Sequence, residues 1–173
     1  MFRQVNLQFN TMQSTKLSSD ILEEQFGPTS IVVLLDDEDE RAILTKADHG
    51  NTLLELSRVT FLQKNNQYQA VRNIIKSGTS MGKAFRLLDI PFARQTRSTY
   101  QHHLPPPLEE AFGSGKPATI VEVTIVVGKQ KELFADIIEI YSPYVNWPGE
   151  YGTPNAQTNT HIKALENILT SSQ

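Results

Sequence analysis

An α+β fold with a mainly antiparallel β-sheet is what this chain of 173 residues predicts, on three observations. Strand-like runs come in close pairs separated by short turn sequences, as at 41–46 and 52–62 and again at 118–127 and 133–141. The spacers between these paired runs are too short for a crossover helix, so the pairing is antiparallel. Helix-like segments are grouped between the strand pairs instead of alternating with single strands, and no Rossmann or P-loop glycine pattern is present. No internal repeat appears, and the length suits one domain over 1–173.

The elements follow in order. Residues 14–24 begin with cap-type side chains and place Leu17, Ile21 and Leu22 at helical spacing before Gly27-Pro28. Residues 31–35 form a β-branched aliphatic run, a buried strand. The acidic stretch 36–40 could hold a metal, but adjacent carboxylates more often make a solvated turn. Strands at 41–46 and 52–62 are joined by a loop at 47–51, where Gly50 and Asn51 can take positive φ. A helix over 65–76 carries Tyr68, Val71, Ile74 and Ile75 on one face, and Ser77-Gly78 ends it. Thr79-Ser80 caps the next helix, whose stripe of Met81, Ala84, Phe85 and Leu88 stops before Pro91. Residues 92–101 read as strand or loop. Pro105-Pro106-Pro107 leads into a brief helix over 108–112, closed by Gly113. The strongest strand pair comes next, then a polar loop over 146–160 and an amphipathic helix over 161–169.

Composition narrows the function classes. Apolar residues at 39% and charged residues at 20% are ordinary for a globular domain, and there is no cysteine for thiol catalysis, thiolate zinc or disulfides. Sixteen basic against nineteen acidic residues give a net charge of −3, which disfavours nucleic acid. The sequence has no apolar run of membrane-spanning length and no signal-peptide core, so the expected location is the cytoplasm, or a plastid stroma if plastid-encoded. The expected partner is a small molecule, with no cofactor or metal and a monomeric or weakly dimeric chain.

Glu139 stands out among the candidate site residues. At strand periodicity it shares a face with Leu133, Ala135, Ile137 and Tyr141. A carboxylate on that face has to be hydrogen-bonded, paired with a cation or protonated, because an isolated buried charge is too costly. Arg41 opens an apolar strand and offers a planar fork for a carboxylate ligand; equally, it can neutralise the neighbouring acidic turn. Arg94 and Arg97 could bind anions, although composition favours surface positions. His102 and His103 point to opposite faces of an extended segment without a carboxylate at ligand spacing, and His49 sits in the hairpin loop, so none reads as a metal ligand.

Several blocks, collinear over 14–144, resemble the second type of chorismate pyruvate-lyase, which includes cyanobacterial and plastid Ycf-type proteins. Residues 14–23 resemble its opening "T-D-G-S-V-T-x-x-L-E", and Arg41-Ala42-Ile43-Leu44 with Gly50 and 54–61 resembles its "R-E-V-L-L…G-x-P-L-x-x-A-R-S" hairpin. Ser80-Met81-Gly82-Lys83 is similar to "P-I-G-R", and Phe92-Ala93-Arg94 to "x-x-R-E-I". Leu108-Glu109-Glu110-Ala111-Phe112-Gly113 and Ile138-Glu139-Ile140-Tyr141-Ser142-Pro143-Tyr144 are similar to "L-E-A-A-F-G" and "Y-E-V-F-S-P-Y".

The resemblance implies a chorismate lyase-like fold, with helices flanking the sheet and a buried ligand pocket under flaps. It implies elimination of pyruvate from chorismate to give 4-hydroxybenzoate, with Arg41 on the ring carboxylate and Glu139 facing the ring hydroxyl. Arg94 and Gly82 join them as substrate-binding positions. The sequence also departs from the family: 118–127 lacks the usual arginine and presents Glu122, the opening block lacks "D-G", and Ala42 follows Arg41. Loss of a cation leaves two alternatives open, a non-catalytic binder of a small aromatic acid and a lyase-like enzyme with another substrate. A third reading is an interaction protein that keeps only the fold, with 144–160 as its exposed surface. Effector-binding domains of bacterial regulators share this fold, and 173 residues leave no room for their winged-helix domain.

Overall fold

The computed structural model describes residues 17–62 and 68–173, together with the backbone of 13 and 14. Their elements are β1 (Gln13–Ser14), α1 (Ser18–Phe26), β2 (Thr29–Asp36), β3 (Glu40–Ala47), β4 (Leu53–Phe61), α2 (Gln69–Lys76), α3 (Met81–Leu87), β5 (Phe92–His102), α4 (Pro106–Phe112), β6 (Ala118–Val127), β7 (Glu132–Tyr141) and α5 (Thr158–Ser171). All strands join one antiparallel sheet of order β1-β5-β6-β7-β4-β3-β2. The fold class is α+β, as the pattern predicts.

Two helical layers sandwich this sheet. Leu22 of α1, Val71 and Ile75 of α2 and Phe85 of α3 pack on one face, against Val59, Val121, Val123 and Ile137. Leu108 and Phe112 of α4 and Ile162, Leu165 and Leu169 of α5 pack on the other, against Leu56, Ile120, Ile138 and Ile140. All ten residues of β6 are therefore buried, and its run of Ile and Val shows no alternation because neither face meets water.

Several elements differ from the sequence expectation. Ser14 belongs to β1, paired with Arg94, and α1 starts at Ser18, where the Asp20 carboxylate accepts the Leu17 N–H at 3.0 Å. Thr15, Lys16 and residues 63–67, where the α2 helix was expected to begin, lie outside the described residues. Residues 92–101 resolve as strand, extended to His102. Leu133 does not share the core face with Glu139. A bulge between Ile125 and Val126 pairs Ile125 with Ala135 and Val126 with Leu133, so Phe134 turns into the core and Leu133 is left 55% exposed. The acidic stretch forms the β2–β3 turn, in which Asp37 accepts the N–H groups of Asp39 and Glu40. Helix α5 starts three residues earlier than the pattern suggests, and its Thr158 hydroxyl donates to Tyr100 on the sheet at 3.1 Å.

Candidate functional site

A cavity of about 480 Å³ lies between the sheet and the α1–α3 layer. Its floor is the inward face of β3, β4, β5 and β7, which brings Thr45, Glu55, Ser57, Arg94 and Glu139 together. Its roof is the start of α1, the loop at 77–80 and the start of α3. A Lys83–Glu23 ion pair at 2.7 Å ties the two helices together there.

Strand register explains the grouping. Ser57 pairs with Glu139 and Glu55 with Tyr141, so Glu55 and Glu139 are diagonal neighbours on one face. Arg94 reaches them from β5 across β6, whose side chains on that face between Arg94 and Glu139 are Val121, Val123 and Ile125. With no polar competitor on the way, the guanidinium closes on Glu139 in a two-pronged contact: Nη1 donates to Oε1 at 2.7 Å and Nη2 to Oε2. The Tyr141 hydroxyl donates to Oε2 at 2.9 Å. Both charges are buried, Arg94 to 6% exposure and Glu139 to 2%. Burial works against the charge on Arg94, but contact with Glu139 outweighs it and holds the guanidinium above its ordinary pKa. Burial and the nearby Glu139 push the Tyr141 hydroxyl well up, so it remains a donor. Tyr141→Phe is expected to cost about 1.5–3 kcal/mol in urea unfolding, the range for a hydrogen bond to a charged group.

Glu55 is the floor residue that sequence reasoning missed. Among the described residues its hydrogen bond comes from Thr45 Oγ1, at 3.2 Å to Oε2. Burial, reinforced by the charge of Glu139, pushes its carboxyl up to about 8. The signal that singled out Glu139, an acid at an inward position of an apolar strand, is also present in Leu53-Leu54-Glu55-Leu56.

The other expected site residues are placed as follows. Arg41 is 3% exposed on the same β3 face as Ile43 and Thr45, but it is not among the residues lining the cavity. It lies near Asp36 and Arg72, and among the described residues its Nη atoms have no hydrogen-bond partner. Gly82 lines the cavity, and its missing side chain has a packing reason: a Cβ there would lie 2.4 Å from Leu17 Cδ2. Gly82→Ala is expected to cost about 1–3 kcal/mol in thermal or urea unfolding, as overpacking displaces buried Leu17. Glu122 faces away from the cavity and is held by Ser98, Asn155 and, at 3.6 Å, His161. Arg97 is partly exposed beside Asp136. Among the described residues no group of three or more acidic or imidazole side chains could hold a metal, and no helix is long and apolar enough to cross a membrane.

No protein-family model and no curated protein matches the chain. Solved structures do. One is a possible transcriptional regulator, YydK from Bacillus subtilis subsp. subtilis str. 168, with a TM-score of 0.57 and 12% identity over 80% of this chain and 66% of that one. Another is the gene product SA0254 from Staphylococcus aureus subsp. aureus N315, with a TM-score of 0.50 and 9% identity over 77% of this chain and 92% of that one. The fold is chorismate lyase-like. At such identities the likeness extends to the fold alone. Among the described residues, the floor of this chorismate lyase-like sheet carries one cation against two carboxyl groups, and that cation is already engaged.

Proposed function

We propose that this chain is a small-molecule-binding domain that holds its ligand in the α1–α3 cavity without turning it over. The supporting observation is the closed Arg94–Glu139 pair. A chorismate pyruvate-lyase must hold a dicarboxylate, which calls for cations free to receive it. Arg94 is the one arginine among the described lining residues, with both terminal nitrogens bonded to Glu139, and the lining lysine, Lys83, is paired with Glu23. A ring carboxylate would have to displace Glu139 and leave that charge buried, a cost of several kcal/mol. A small aromatic acid meets the same obstacle, so the ligand favoured by the site is not held by a carboxylate. The cavity volume suits a small organic molecule.

The lyase reading keeps one point in its favour, since Glu139 is a buried carboxylate on a cavity wall. Incubation with chorismate separates the two. The expected result is no pyruvate above the uncatalysed rate, read with a coupled lactate dehydrogenase assay. Pyruvate released in proportion to protein, and lost in Glu139→Gln, would overturn the binding-only reading.

A further inference from the structure

We propose that the cavity takes a small organic ammonium ion, which supplies Glu55 with a counter-charge that no described residue leaves free for it. This deepens the binding function proposed above and rests on it. The floor holds Glu139, Glu55 and Arg94, and Arg94 is spent on Glu139. Glu55 is left with a hydroxyl, Thr45, as its described partner, although it is 4% exposed and lines the cavity. A buried carboxyl without a cation keeps its proton, and an arriving cation reverses that balance.

Phe85 and Phe92 line the same cavity and stack at 5.0 Å between centroids. They give the hydrocarbon part of a ligand an apolar wall at the end of the cavity away from Glu55: Phe92 pairs with Val127, whereas Glu55 lies beside Tyr141, itself opposite Thr119. Among the described residues, the charged or titratable groups facing Glu55 are Glu139 and Tyr141 on β7 and Arg94 on β5, with Glu23 and Lys83 paired at the roof.

The proton balance follows. An ammonium ligand arrives charged, Glu55 gives up its carboxyl proton to solvent, and the new carboxylate pairs with the ammonium. Binding therefore releases close to one proton per ligand at pH 7.

Phenethylamine, 2-phenylethanol and phenylacetate make a matched set of probes. Titration calorimetry at pH 7, with proton release read on a pH-stat in unbuffered saline, is expected to show phenethylamine binding at least tenfold tighter than either analogue and releasing about one proton. Its affinity should rise about tenfold per pH unit between 6 and 7.5. Glu55→Gln should abolish the proton release and lose at least tenfold in amine affinity; if that variant fails to fold, the wild-type pH dependence carries the same decision. Equal or tighter binding of the alcohol or the acid, amine binding without proton release, or no amine binding would each overturn the inference. Binding of the alcohol or acid that shifts the ring NMR signals of Phe85 and Phe92 would leave the binding function standing. A mixed fragment screen that shifts neither ring would remove both.

Discussion

Arg94→Met is expected to lower the unfolding free energy by about 3–5 kcal/mol at pH 7, the range for removing one partner of a buried ion pair. The loss comes from Glu139, which would stay buried with the Tyr141 hydroxyl as its remaining hydrogen bond and Glu55 as its neighbour. The double variant Arg94→Met/Glu139→Met should recover most of that loss, because apolar side chains of similar size can replace a buried pair at little or no cost. Urea unfolding of both variants checks this. A single variant within about 1 kcal/mol of wild type would mean that the pair is solvated or loosely held.

Glu55→Gln is expected to move stability in the opposite direction, by about 3 kcal/mol at pH 7. The Glu55 carboxyl rises from 4.5 when exposed to about 8 in the folded chain. It binds its proton more tightly folded than unfolded, so its stabilising contribution is complete below about 4.5 and is lost as the pH climbs through 8. Between those limits the wild type should lose about 1.4 kcal/mol per pH unit through this group. Glutamine keeps a hydrogen-bonding oxygen for Thr45 but has no proton to lose. Wild type and variant should therefore match near pH 4 and diverge steadily toward pH 8, as followed by chemical denaturation. Parallel curves across that range would contradict the assignment. A residue that lowers the stability of its own fold at neutral pH is expected where a ligand, and not the core, sets the requirement.

Local pattern carried most of the fold. Caps, turns and strand runs place the elements from α1 to α5, but the aliphatic run at 31–35, read as a buried strand, lies on the edge strand β2 with Val32 and Val33 exposed. Strand phase was less legible. Leu133 looked inward because one extra residue in the ladder reverses every side chain beyond it, and a bulge leaves no compositional mark. Glu139 was readable as a buried carboxylate, but its partner was not. Arg94 lies 45 positions away in sequence and two strands away in the sheet, in a segment whose mixed composition reads as strand or loop. Arg41 carried the stronger sequence argument, yet its guanidinium lies outside the lining of the cavity. Glu55 was as visible as Glu139, and only the register shows that the two are neighbours.

Among the described residues, the cavity floor holds one committed cation, Arg94, and one carboxyl, Glu55, that burial pushes toward its protonated form. The most direct test is a carboxyl ¹³C NMR titration of protein labelled in its glutamate side chains. One glutamate should titrate near 8, and that signal should vanish in Glu55→Gln. If instead every glutamate in the wild type titrates within about one unit of the ordinary carboxyl value near 4.3, the account of this site is wrong.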